Sequence, residues 1–164
     1  MNRRVDDMVT LSASLPDVRP AEPVAPRELL ERARPLFISA VQLAAERLSQ
    51  ADAACLRESC ERMGRAPTPE ARAGAYRDFL AAIAEASGSR FHRAVIAALV
   101  AEFGSLVDRG VRHDMEREGR WEDGDVHRLW LALDSRNPHL ASQAAEDHML
   151  VVGQVLDRIA ATAG

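Results

Sequence analysis

The sequence predicts an all-α protein, an antiparallel bundle of about six helices joined by short connections. Three observations predict it. Hydrophobic residues make up 47% of the 164 residues but aromatic ones only 4%, so the core is built mainly from Ala, Leu and Val, which favours closely packed helices over strands. Alternating apolar and polar runs with hairpin turns are absent, and the lone Asp123-Gly124 is flanked by helix-like sequence. Strong helix-start signals recur, at Ser49, at Thr68-Pro69-Glu70 and at Asn137-Pro138.

Residues 1–26 read as an arm or linker, because Pro16, Pro20, Pro23 and Pro26 interrupt any helix and the apolar residues keep no period. Residues 27–164 form the helical domain. The first helix is expected from Arg27 to Leu48, with Ala33, Phe37, Val41 and Ala44 in its buried stripe and a kink or break at Pro35. Ser49 then caps a second helix, with Asp52 as the acid of a capping box, ending near Gly64. The third covers about 69–87, with Phe79, Leu80 and Ile83 on one stripe, Gly88 as a left-handed cap and Ser89 capping the fourth. The fourth spans about 90–117 through Phe91, Val95, Leu99 and Phe103, and its polar tail is expected to fray or bend at Gly110. The fifth covers about 122–133, with Val126, Leu129, Trp130 and Leu133 inward. The sixth runs from Pro138 to about Ala161 through Leu140, Ala144, Met149 and Leu150.

Charge and cysteine usage bound the partners. The net charge of −4 argues against nucleic-acid binding by a general basic surface. Cys55 and Cys60 stand five positions apart on one helix, too divergent to bridge, and read as reduced thiols of a cytoplasmic protein. No apolar run reaches the roughly 18 residues of a membrane span, so no membrane partner is expected.

Of the five histidines, His127 and His148 are the informative pair. At ~1.5 Å per residue, the climb from His127 to the end of its helix and the descent to His148 bring the two within about one turn of the same level. Imidazoles on facing helices can build a metal or acid–base site. Asp123 and His127 have the i, i+4 spacing of two ligands, but Glu122, Asp123 and Asp125 together read as solvated surface acids. Phosphate-loop, dinucleotide, metalloprotease and nucleophile-elbow motifs are absent.

Read in order, the helices resemble the FCD domain, the ligand-sensing C-terminal domain of the FadR-like branch of GntR transcription regulators. The stretch Leu43–Arg47 (LAAER) is similar to that family's opening helix. Phe79–Ser89 (FLAAIAEASGS) is similar to its "FHxxIAxAxGN" helix, and Asp125–Leu150 resembles its closing pair, "EHxxIxxAIxxGDxxxAxxxxxxHL". The resemblance covers about residues 27–160. It implies a bundle that binds a small metabolite, commonly an organic acid, and forms a homodimer. In many members a divalent metal is held by an Asp-x-x-x-His pair and two further histidines. Carried over, the last two histidines fall on His127 and His148, the Asp on Tyr76 and the His on Leu80. An Arg–Glu pair of the first helix falls on Ala33 and Phe37.

These departures leave His127 and His148 as the only retained metal positions and make the cavity drier, so a tightly bound metal is not expected. The winged-helix DNA-binding half of such regulators has no counterpart in the proline-rich arm, which favours a stand-alone domain. Three readings stay open: an effector-binding module whose pocket is lined by Ala33, Phe37, Tyr76, Leu80, His127 and His148; a domain repurposed as an enzyme or carrier using His127, His148 and Tyr76; and a structural or partner-binding bundle.

Overall fold

The computed structural model describes residues 25–118 and 124–162, so most of the proline-rich arm and Asp123 lie outside the described residues. Six helices are described: α1 (Pro26–Arg47), α2 (Gln50–Arg65), α3 (Pro69–Ala86), α4 (Arg90–Glu118), α5 (Gly124–Asp134) and α6 (Pro138–Thr162). No strand occurs among the described residues.

Local chemistry sets the boundaries. Ser49 and Asp52 form a reciprocal capping box, each backbone N–H donating to the other's side chain at 3.1 Å. Thr68 Oγ1 accepts from Ala71 N at 3.2 Å, and Pro69 opens α3. Gly88 ends α3 with φ +63°, its N–H donating to Glu85 O at 2.9 Å. Arg47, at the end of α1, donates to the Ser87 carbonyl at 2.7 Å and so satisfies a second group at that helix end. Asn137 Oδ1 accepts from His139 N and Leu140 N at 3.0 and 3.2 Å, capping α6. Arg136, just before it, takes the left-handed conformation with φ 54°.

The packing is antiparallel. On α3 and α4, Glu85 pairs with Arg93, Arg77 with Asp108 and Glu70 with Arg112, a ladder running in opposite directions along the two helices. Such partly exposed pairs are each worth about 0–1 kcal/mol, so they mark register more than they hold the fold. Arg27 at the start of α1 meets Asp157 near the end of α6, and Leu30 approaches Gly153. α1 packs on α6, α3, α4 and α5 and forms the centre of the bundle. Ala40, Val41 and Ala44 on α1, Phe79 and Ile83 on α3, and Leu129 and Leu133 on α5 are fully enclosed. Full burial of a side chain the size of Phe79 contributes about 1.5–3 kcal/mol.

The structure narrows three expectations. α1 remains one helix across Pro35 rather than two abutting ones. α4 continues through Gly110 instead of fraying, because the missing side chain lets α6 come close: a Cβ there would stand 2.6 Å from Val155 Cγ1. On α4 and α6, Phe103, Met149, Leu156 and Ile159 are buried as expected, but other residues differ. Phe91, Leu140 and Leu150 are exposed, while His92, Ile96, Ala141 and Ala145 point inward.

Candidate functional site

The middle of the bundle holds a line of three polar side chains. Tyr76 on α3, His148 on α6 and Asp125 at the start of α5 are all more than nine-tenths buried. The Tyr76 hydroxyl lies 2.7 Å from His148 Nε2, and His148 Nδ1 lies 2.6 Å from Asp125 Oδ2. No other partner of the Tyr76 hydroxyl occurs among the described residues. Counting donors and acceptors therefore assigns the protons: Nδ1–H donates to the Asp125 carboxylate, and Nε2 accepts from the Tyr76 hydroxyl. Protonating Nε2 instead would leave the phenol proton without an acceptor. Burial, and next the negative charge of Asp125, push the Tyr76 phenol far above its ordinary range, so Tyr76 keeps its proton.

Helical spacing explains the convergence. Tyr76 shares the buried face of α3 with Phe79 and Ile83. His148 lies one turn beyond Ala145 and two beyond Ala141, whose small side chains let α5 approach α6. Asp125 occupies the first turn of α5, where the positive end of the helix dipole favours a carboxylate. Its Oδ1 is buried and has no hydrogen-bond partner among the described residues.

Two hollows flank the line and share Tyr76, Phe103, His148 and Val152 as walls. The larger, about 60 Å³, is lined by Ala33, Phe37, Tyr76, Leu80 and His148 together with apolar residues of α4 and α6. Phe37 packs against the His148 ring with centroids 5.8 Å apart. The smaller, about 40 Å³, exposes Asp125 among Val151, Val155 and Leu156. A wider groove of about 290 Å³ runs along the outside of α1 and α6; it is floored by the exposed Arg27–Asp157 pair and contains none of the buried polar line.

Of the residues singled out from sequence, Ala33, Phe37, Tyr76, Leu80 and His148 come together around one hollow. His127 does not. It stands exposed on α5, with its Nδ1 4.0 Å from Cys60 Sγ and its ring beside Trp130. One residue is 100° of helix rotation, so His127 cannot share a face with buried Val126 and Leu129. Asp125, expected to be a solvated acid, is the buried one. The spacing within the motif "EHxxI…HL" carries the signal: counted back from His148, its Glu-His falls on Asp125 and Val126, not on Val126 and His127.

The donor set does not fit a divalent metal. Tyr76, Leu80 and Val126 stand where three ligands would be needed, and both nitrogens of His148 are already engaged. Among the described residues no group of three His, Cys, Asp or Glu side chains converges. No described helix is long and apolar enough to cross a membrane.

Comparison with protein families finds the FCD domain, matched over residues 27–150. A search of curated proteins finds no match.

Proposed function

The chain belongs to the FCD family, the effector-binding domain of GntR-type regulators, and from that premise we propose that it binds a small metabolite in the paired hollows at Tyr76 and His148 without a metal. The observation that carries this reading is the buried Tyr76–His148–Asp125 line between two apolar hollows. Buried polar groups beside unfilled apolar space are the usual makings of a small-ligand site: the apolar walls supply affinity and a few polar groups set orientation. At roughly 15 Å³ per water, the larger hollow has room for about four waters or an equivalent small ligand.

An enzymatic role has less support. Tyr76 holds its proton too firmly to act as a base. Both nitrogens of His148 are engaged by Tyr76 and Asp125 and not by a substrate-facing group. A packed structural bundle would not need hollows on both sides of a buried Tyr–His pair.

A thermal-shift screen of small metabolites tests the reading. A ligand is expected that raises the melting temperature of the native chain and loses that effect in His148→Ala and in a Leu80→Trp variant that fills the larger hollow. Stabilisation equal in all three proteins would overturn the site. A homodimer belongs to this reading on the strength of the family alone, and sedimentation equilibrium checks it.

A further inference from the structure

We propose that the smaller hollow is a subsite for the protonated head of a small primary amine, with Asp125 Oδ1 as its acceptor. The inference rests on the effector-binding reading and inverts the charge of the ligand, since related domains commonly take organic acids.

The argument starts from an unfinished carboxylate. Asp125 gives one oxygen to His148 and leaves Oδ1 buried without a partner among the described residues. Buried polar atoms are nearly always paired, and an orphaned charged oxygen is among the costliest exceptions. The hollow beside it is about 40 Å³, and its remaining walls include Val151, Val152, Val155 and Leu156. Those side chains offer no donor, so among the described walls none completes the carboxylate, and a ligand can.

Charge then selects among candidates. With Nδ1–H donating to Asp125 and the Tyr76 hydroxyl donating to Nε2, imidazole and phenol are both neutral, and the line carries one negative charge. The one cation among the described residues lining the two hollows, Arg77 of the larger, is already paired with Asp108 at 2.6 Å. An anion would meet an uncompensated carboxylate in an apolar wall. A hydroxyl could donate, but a charge-assisted bond from an ammonium is roughly twice as strong and also neutralises the buried charge. The valine and leucine walls suit a short aliphatic tail, and the hollow holds about two or three heavy atoms.

The test uses the full chain and three small probes of three or four heavy atoms, ethylammonium, ethanol and acetate, at constant ionic strength. Tyr76 is the only tyrosine, so its ring resonances report the site without ambiguity. Ethylammonium is expected to give a saturable shift, with at least tenfold tighter binding than ethanol, and acetate none. Asp125→Asn, which keeps the shape, should lose tenfold or more. Val151→Leu, which narrows the hollow but leaves the Asp125–His148 bond, should lose it as well. Equal binding by acetate, unchanged binding in Asp125→Asn, or no shift with any probe, as when a water alone occupies the hollow, overturns the proposal. A carboxylate hit in the metabolite screen that depends on His148 would sink the amine assignment and leave the effector-binding reading standing.

Discussion

Raising the pH should expose the cost of burying Tyr76. Its phenol is enclosed in the bundle beside Asp125, and both effects hold the proton on. In the unfolded chain the same phenol ionises near its ordinary value of about 10. Below that value both states carry the proton, and the group adds no pH dependence. Above it the unfolded state has lost a proton that the folded state retains, so stability falls with rising pH. The slope is about 1.4 kcal/mol per pH unit, or about 2.7 kcal/mol by two units above the unfolded value. That is a large fraction of the roughly 5–15 kcal/mol that holds a typical domain together. The single tyrosine makes the assay clean. Tyrosinate absorbance should stay flat through pH 10–11 in the folded protein and rise only as the chain unfolds. Urea melts over the same range should show the slope in the native chain. In Tyr76→Phe the starting stability should be lower by about 1–3 kcal/mol, because His148 Nε2 loses its donor, but the slope should disappear. A tyrosinate signal with a midpoint near 10 in folded protein would refute the buried hydrogen bond.

Three further outcomes follow from the packing. His127→Ala should change stability by less than about 0.5 kcal/mol, as a surface substitution does, while His148→Ala should cost about 2–4 kcal/mol; chemical denaturation distinguishes them, and equal costs would contradict the placement of the two rings. Gly110→Ala forces a methyl to 2.6 Å from Val155 Cγ1; overpacking of about 1–3 kcal/mol outweighs a helix-propensity gain of about 1, so the midpoint should fall, and a rise would mean that α4 and α6 are not so close there. Arg136→Gly relieves a left-handed arginine at the end of α5 and should stabilise by about 0.5–1 kcal/mol, read as a small increase in melting temperature.

The helix count, the caps and most of the boundaries were legible because they rest on local chemistry. Ser49 with Asp52, Thr68 with Pro69, and Gly88 act within a turn of themselves, and no distant packing is needed to read them. Facing was harder. On α5 the expected inward residues Val126, Leu129 and Leu133 are enclosed, and Phe103, Met149, Leu156 and Ile159 are buried as expected, but at the starts of α4 and α6 the exposed Phe91 and Leu140 give way to His92, Ile96, Ala141 and Ala145. In alanine-rich helices the inward face is chosen for close approach, so the larger apolar side chain can be the exposed one. Asp125 is hidden in the sequence for a related reason. Its neighbours Glu122 and Asp123 resemble a solvated acidic run, and only the three-dimensional meeting with His148 distinguishes it.

Whether the motif's histidine falls on Val126 or on His127 can be decided by trying to rebuild the metal site that this chain does not present. If the resemblance is aligned on His148, the missing ligands belong at positions 76, 80 and 126, and Tyr76→Asp, Leu80→His and Val126→His should together restore a divalent site. The geometry already favours it. Asp125 holds His148 by Nδ1, the arrangement that orients a metal-bound imidazole, and replacing Tyr76 frees Nε2 to coordinate. Positions 76, 80 and 148 already line one hollow, and restoration requires position 126 on α5 to reach it as well. The double variant that keeps Val126 offers only Asp, His and His148 and should bind zinc or nickel more weakly, by about 10-fold or more on the general loss expected when a ligand or its support is missing. Adding His127→Ala to either variant should change nothing, because that ring stands on the far side of α5 beside Cys60. Titration calorimetry of the four proteins decides the matter. If Val126→His adds no affinity and His127→Ala abolishes binding, α5 is rotated by one residue from the face assigned to it, and Asp125 cannot be the buried partner of His148.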